Sequence, residues 1–213
     1  MSKICHKVHR LFSELPKLGF PYDASRIPEN GIYVLFENGE LAHETDRIVR
    51  VGTHTGNNQL PSRLEQHFIR ENKDRSIFRK NIGRAILNRD KNTLLAQWEI
   101  DLTSSEAKNK YAKAIDQHKL REIEKQVTDY IQCNFRFVVL RVHEKEKRLR
   151  RESKIISTIS QCDECHPSEK WLGRHSTKDK IRRSGLWLVN ELYKQPLSES
   201  DFEALKTSVL GIK

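Results

Sequence analysis

Two short runs early in the chain, Gly31-Ile32-Tyr33-Val34-Leu35-Phe36 and Ile48-Val49-Arg50-Val51-Gly52, are crowded with β-branched and aromatic residues. Their length and composition predict strands. The charged segment between them, with its turn-prone Asn38-Gly39, predicts an antiparallel hairpin with a long connection. A third run, Phe135-Arg136-Phe137-Val138-Val139-Leu140-Arg141-Val142, is apolar almost throughout, which predicts a strand in the middle of its sheet.

Helical spacing covers most of the rest. Residues 1–19 predict an amphipathic helix with Val8, Leu11, Phe12 and Leu15 on one face, ended by Pro16 and Gly19. Pro61 suits the first turn of a helix over about 60–71 that buries Leu64, Phe68 and Ile69. A second helix, about 75–88, would bury Ile77 or Phe78, Ile82, Ala85 and Ile86, with Arg75, Arg79, Lys80 and Arg84 on its other face. A short apolar piece around Trp98 and Ile100 predicts a strand. Thr103-Ser104-Ser105-Glu106 has the form of a capping box, opening one long helix to about Tyr130 whose apolar positions, His118 and Val127 among them, are sparse. Leu149, Ser153, Ile156 and Ile159 give a buried stripe to a helix over about 145–160, and a final helix is expected near 198–207.

Composition narrows the picture. A chain of 213 residues is one good-sized domain, and 36% hydrophobic against 32% charged residues allows a core but implies well-solvated helices. A net charge of +10 favours a polyanionic partner, nucleic acid first and an anionic membrane surface second, against the alternative of a merely soluble basic protein. Residues 58–91 hold nine basic against four acidic residues with aromatics interleaved, which suits backbone contacts to nucleic acid better than a solvated face alone. No segment approaches the roughly 18 apolar residues of a membrane span, and the first residues lack the apolar run of a signal peptide. Four cysteines make no disulfide framework, so an intracellular, cytoplasmic protein with reduced thiols is expected. Cys162-Asp163-Glu164-Cys165 is half of a zinc knuckle. No second half is visible, because Cys133 adjoins a strand and Cys5 lies near the terminus; reduced cysteines in a turn are the expectation and structural zinc the minor alternative.

Two groups carry candidate chemistry. Arg63 and His67 are four apart and share a helix face. Glu152 lies at the margin of a buried stripe among six basic residues between Lys145 and Lys154, and needs either a salt bridge or a metal ion as partner.

Taken in order, Gly31-Ile32-Tyr33, Val51-Gly52, Arg63-Leu64-x-x-His67, Glu152 and Asn190 resemble the GIY-YIG nuclease family. The resemblance covers roughly 28–72 and 133–192. It implies a single α+β domain over 1–213, built on a small three-stranded antiparallel sheet flanked by helices. Residues 73–132 would be a helical insertion like those of GIY-YIG restriction endonucleases, with an N-terminal arm 1–27 and a C-terminal helical segment 193–213. Arg50 stands where the family has its second tyrosine, and the connection from Tyr33 is longer than usual.

By this resemblance Tyr33 is the general base and Arg63 binds the scissile phosphate. Arg50 holds a phosphate or polarises Tyr33, and His67 hydrogen-bonds Tyr33 or relays its proton. Glu152 anchors one Mg²⁺ or Mn²⁺, with Gly31, Gly52 and Asn190 as structural support. The expected partner is duplex DNA, gripped in part by Arg75, Arg79, Lys80 and Arg84, with a homodimer as one route to double-strand cleavage and no membrane. A restriction-type role leads, ahead of a repair or mobile-element nuclease. The rival reading is a non-catalytic nucleic-acid-binding module on the same fold.

Overall fold

The computed structural model describes residues 2–211. In chain order its elements are α1 (Ser2–Ser13), β1 (Leu18–Gly19), β2 (Gly31–Ala42), β3 (Thr45–Gly52), α2 (Leu60–Phe68), α3 (Ile77–Arg89), α4 (Leu95–Glu99), α5 (Ser105–Tyr111), α6 (Gln117–Asn134), β4 (Phe135–Arg141), α7 (Lys145–Ser160), α8 (Asp179–Ser184) and α9 (Glu199–Leu210). Met1, Ile212 and Lys213, at the ends of the expected N- and C-terminal segments, lie outside the described residues.

The four strands form one antiparallel sheet in the order β1-β4-β2-β3. The α+β class with helices around a small antiparallel sheet is therefore present, with the two-residue β1 added to the three expected strands. Successive side chains of β2 point to opposite faces. Tyr33 and Leu35 join a core completed by Leu60 and Leu64 of α2, Phe78 and Ile82 of α3, and Val127 and Ile131 of α6. Ile32, Val34 and Phe36 join a second core with Val8 and Phe12 of α1, Ile155 and Ile159 of α7, and Phe202 of α9. Both faces are covered, which is why the strands read as nearly continuous apolar runs. Each such buried side chain contributes about 1.5–3 kcal/mol.

The hairpin differs from its expectation in a way that matters later. Asn38-Gly39 is not the turn. Gly39 takes φ +83 within β2, where the β2–β3 register shifts between Phe36 and Leu41, and the Asn38 side chain donates to the Cys133 carbonyl. The chain reverses instead at His43-Glu44, with φ of 52 and 61. Positive φ at both central residues is the signature of a tight two-residue hairpin turn.

Three other expectations are corrected. The piece around Trp98 is helix α4, held by the Trp98 indole donating to the Lys80 carbonyl at 3.0 Å; a short apolar run without alternation does not separate strand from helix. The long helix is two, because Asp116 accepts from the Lys119 amide and starts α6 afresh, leaving His118 exposed. The cap of α5 is Ser104, one residue on from Thr103.

Candidate active site

Tyr33 in β2 pairs across the ladder with Gly52, and Leu35 with Arg50, so the phenol and the guanidinium share one face of the hairpin. A Cβ at Gly52 would fall inside the Tyr33 ring, so glycine is what lets the phenol lie across β3. At Gly31 a Cβ would meet the Leu140 carbonyl of β4, so that glycine permits close pairing of the two central strands. A register shift leaves Val49 as an extra residue beside Arg50, and its carbonyl accepts the Trp187 amide at 2.7 Å. Arg50 in turn donates to the Trp187 carbonyl and stacks over the Phe78 ring at 5.2 Å. Trp187 is fixed by its indole on the buried Glu37 carboxylate at 2.7 Å.

The Tyr33 hydroxyl lies 2.8 Å from His67 Nε2 and accepts from Arg50 Nε at 3.2 Å. His67 is fully buried, and its Nδ1 lies 2.8 Å from the hydroxyl of Ser76, the residue that caps α3. Burial, followed by the charges of Arg63, Arg50 and Arg79, holds the imidazole well below its usual range. His67 is therefore neutral at pH 7. With Arg50 as donor to the phenol, the consistent assignment has Tyr33 O–H donating to Nε2 and Nδ1–H donating to Ser76.

Beside this trio opens a cavity of about 560 Å³, walled by residues that include Thr53, His54, Gln59, Arg63, Gln66, Glu152 and Asn190. Glu152 projects from α7, and its Oε1 accepts the Thr53 amide at 3.1 Å. Burial pushes its carboxyl up to about 7, against the opposing pull of Arg50 and the Thr53 amide. Arg63 donates only to neutral acceptors, Gln66 Oε1 at 3.1 Å and the Arg75 carbonyl at 3.2 Å. Arg148 is fully buried and donates to the carbonyls of Val142, His143 and Gly56. Among the described residues none of Arg50, Arg63 and Arg148 has a carboxylate within salt-bridge distance. One of these cations, Arg63, lines the cavity, whose wall holds one carboxylate, while Arg50 and Arg148 are buried outside the lining. Tyr33 itself is 1% exposed and lies behind that wall.

The expected basic face of α3 is not a face. Arg79 is fully buried against Glu124 (2.8 Å) and Thr128 Oγ1 (2.7 Å), Lys80 pairs with Asp74 at 3.1 Å, and Arg84 with Glu99 at 2.6 Å. The cause is the wrapping of α3 by α4 and α6, which supply Glu99 and Glu124, together with Asp74 from the segment just before α3; only Arg75 of the four is exposed. Asn190 is also corrected: it is exposed in the cavity wall, and the tie to α7 is made by the Glu191 carbonyl accepting from Ser157 and the Tyr193 amide donating to Ser160. A second cavity, about 410 Å³ around Trp98 and Glu124, contains none of the five expected catalytic residues.

A family model described as a GIY-YIG domain matches residues 4–212, nearly the whole chain. The chain belongs to the GIY-YIG family. Its fold is thus that of an endonuclease-type enzyme. No curated protein matches it, and no solved structure does.

Within this GIY-YIG chain the structure brings Tyr33, Arg50 and His67 into mutual contact and sets Arg63 and Glu152 on one cavity. Sequence reasoning missed Thr53, Ser76 and Trp187. Thr53 and Trp187 act through backbone groups, which leave no side-chain signal. Ser76 could have been found as a capping serine, since it stands at the start of the helix expected over about 75–88, which in the structure begins one residue after it.

Proposed function

We propose that the protein is a metal-dependent endonuclease that hydrolyses phosphodiester bonds of duplex DNA at the cavity beside Tyr33. The observation that carries this reading is the pairing of Arg63, with guanidinium donors uncommitted to any carboxylate, with a single buried carboxylate on the same cavity wall. A phosphodiester brings the charge that this wall lacks, and Arg63 can take two of its oxygens at once.

The donor set suits one hard cation. Glu152 Oε1 is occupied by the Thr53 amide, its second oxygen has no hydrogen-bond partner among the described residues, and Asn190 and Thr55 add neutral oxygens to the wall. Mg²⁺ or Mn²⁺ held by one carboxylate keeps several waters and leaves positions for phosphate oxygens. When bound, such an ion supplies charge neutralisation at the phosphorane-like transition state.

The chain's own groups do the rest. Tyr33 keeps its Arg50 contact, passes its own proton to His67 Nε2 and takes the proton of the attacking water on the oxygen so freed. The hydroxide attacks phosphorus, the bond to the 3′ oxygen breaks, and that oxygen takes a proton from solvent. Because His67 resists holding a positive charge, its larger part is to aim the phenol, with the proton passing through rather than residing there. Arg50, in the place of a second tyrosine, stabilises the phenolate.

With α3 withdrawn from the DNA surface, exposed Lys145 on α7 and Lys178 and Lys180 at α8, with no carboxylate at salt-bridge distance among the described residues, are cations that can track a backbone. Lys180 reaches the Val189 carbonyl, next to Asn190 of the cavity wall. One site cuts one strand, so double-strand cleavage requires a homodimer or two events. Restriction is the favoured role, with repair and mobile-element nucleases as alternatives.

The burial of Tyr33 favours a second reading, a module that binds nucleic acid without cutting it. Supercoiled plasmid incubated with Mg²⁺ or Mn²⁺ separates the two. Nicking by the wild type, lost in Tyr33→Phe and Glu152→Ala while DNA binding persists, is the expected result. Binding without nicking in either metal, across DNA from several sources, supports the module.

A further inference from the structure

The opposite face of the hairpin carries a second gathering of reactive side chains. Cys5 and His9 stand one turn apart on α1, His43 occupies the β2–β3 turn, and Cys165 lies in the loop after α7. One ligand atom from each, two thiol sulfurs and two ring nitrogens, lies within 4.8 Å of every other. Cys5, His9 and Cys165 are buried, and the His43 side chain is 3% exposed. No other group of this kind occurs among the described residues.

The details point to an ion. Zinc with sulfur at about 2.3 Å and nitrogen at about 2.0–2.1 Å has tetrahedral sulfur–nitrogen edges of about 3.5 Å. Cys165 Sγ is 3.5 Å from His9 Nε2. The far nitrogen of His9 is anchored, as in metal-ligating histidines, with Nδ1 3.0 Å from the Cys5 carbonyl, and His43 Nδ1 faces the Glu164 carboxylate at 3.7 Å. His9 Nε2 is thereby turned toward Cys165, and His43 Nε2 toward the Cys162–Cys165 loop. Two thiolates also cancel the charge of a divalent ion, so a closed, buried site is left neutral.

The His43-Glu44 turn adds an independent constraint. Both residues hold left-handed backbone, at φ 52 and 61, where Asn-Gly would be the comfortable pair. A histidine held there, with its ring stacked on His6 at 5.4 Å and edge-on to His9 at 5.1 Å, is placed for its side chain. Two contacts oppose the ion: the Ile48 amide donates to His9 Nε2 at 3.2 Å, and the Cys5 sulfur lies 3.5 Å from His9 Nδ1, so ion binding breaks the first and turns the Cys5 sulfur away from the second. Cys162 stands at the rim, its sulfur 3.5 Å from His43 Nε2.

We propose that Cys5, His9, His43 and Cys165 bind one zinc ion that clamps α1, the hairpin turn and the loop after α7 together. Soft sulfur with imidazole in a tetrahedral set selects zinc over the hard cation of the Tyr33 cavity. Of the Cys162-x-x-Cys165 pair only Cys165 is used, and its partners, invisible in the sequence, come from α1 and the turn.

The test uses the full chain, purified without a histidine tag. One zinc per chain by elemental mass spectrometry is expected. Replacement with Co²⁺ should give thiolate-to-cobalt charge transfer and tetrahedral d–d absorption, saturating at one equivalent. Cys5→Ser and Cys165→Ser should lose the charge-transfer intensity or weaken binding at least tenfold, and Glu164→Gln should weaken it about tenfold. Exposed Cys133→Ser and the Tyr33-cavity variant Glu152→Gln should leave it unchanged. A wild-type spectrum without charge transfer at one equivalent overturns the proposal, whether or not the ligand variants fold. Loss of the band in Cys162→Ser with retention in His9→Gln overturns the assignment of His9 as ligand.

Discussion

Helices α2 and α3 both present arginines, and the fold treats them in opposite ways. On α3, Arg79 and Arg84 are drawn inward and matched by Glu124 and Glu99, acids supplied by the helices that wrap it. On α2, Arg63 reaches a cavity with no carboxylate at salt-bridge distance, and Arg50 and Arg148 nearby are in the same condition. Charge count alone ranks α3 the stronger DNA-binding candidate. Pairing reverses the ranking. An arginine whose acid partner is built into the protein stabilises the fold, whereas one left without a partner is available to an anion from outside.

The comparison can be broken most sharply at the cavity. Arg63→Ala and Tyr33→Phe should each slow nicking by about 10²–10⁴-fold under single-turnover conditions. Thermal midpoints should stay close to wild type in Arg63→Ala, because its protein partners are neutral and partly exposed. On α3 the expected effect is on stability instead. Arg79→Ala leaves the Glu124 carboxylate buried without its partner, at a cost of about 3–5 kcal/mol in urea unfolding. Its DNA affinity per folded molecule should not change.

Glu152 gives a smaller effect with a defined pH dependence. Its carboxyl is raised to about 7 in the folded chain from an ordinary 4.5. A raised value favours the folded state below the unfolded value, and that contribution is lost as pH rises through about 7. In metal-free buffer Glu152→Gln should therefore be more stable than wild type at pH 8, by about 2–3 kcal/mol, with the difference vanishing below about pH 4.5. Cation binding needs the ionised carboxylate, so wild-type affinity for Mn²⁺, read by calorimetry, should rise through pH 7. The smallest effect is at Arg75. As an exposed cation it contributes at most one phosphate contact, so Arg75→Ala should change the salt slope of DNA binding by no more than about 1.

How much of this was legible in the sequence divides along the same lines. The Tyr33–Arg50–His67 geometry could be anticipated because its residues fall within 35 positions of one another on two strands and one helix, where ladder register and a four-residue helical spacing decide who meets whom. The bounds of α7 were readable because its stripe is regular, and Ile156 and Ile159 are buried as expected, but Leu149 and Ser153 are only half-buried and Arg148, Ile155 and Thr158 join the buried side. Helix α3 was not, because a sequence shows the arginines but not that α4 and α6 fold back over them. The break between α5 and α6 turned on a single capping aspartate, and the hairpin turn on a His-Glu pair that carries no turn signal. Cys5, His9, His43 and Cys165 come from three segments, the last more than 100 residues beyond the others, so only the packed chain reveals them as a group.

The most direct measurement compares the two kinds of arginine in one assay. Arg63→Ala and Arg79→Ala would be matched for folded fraction, and the single-turnover nicking of supercoiled plasmid measured for each beside the wild type with Mg²⁺ or Mn²⁺. The account predicts a loss of at least about 10²-fold for Arg63→Ala, with DNA binding largely retained, and a wild-type rate per folded molecule for Arg79→Ala. Equal losses in the two variants, or full activity in Arg63→Ala, would contradict it.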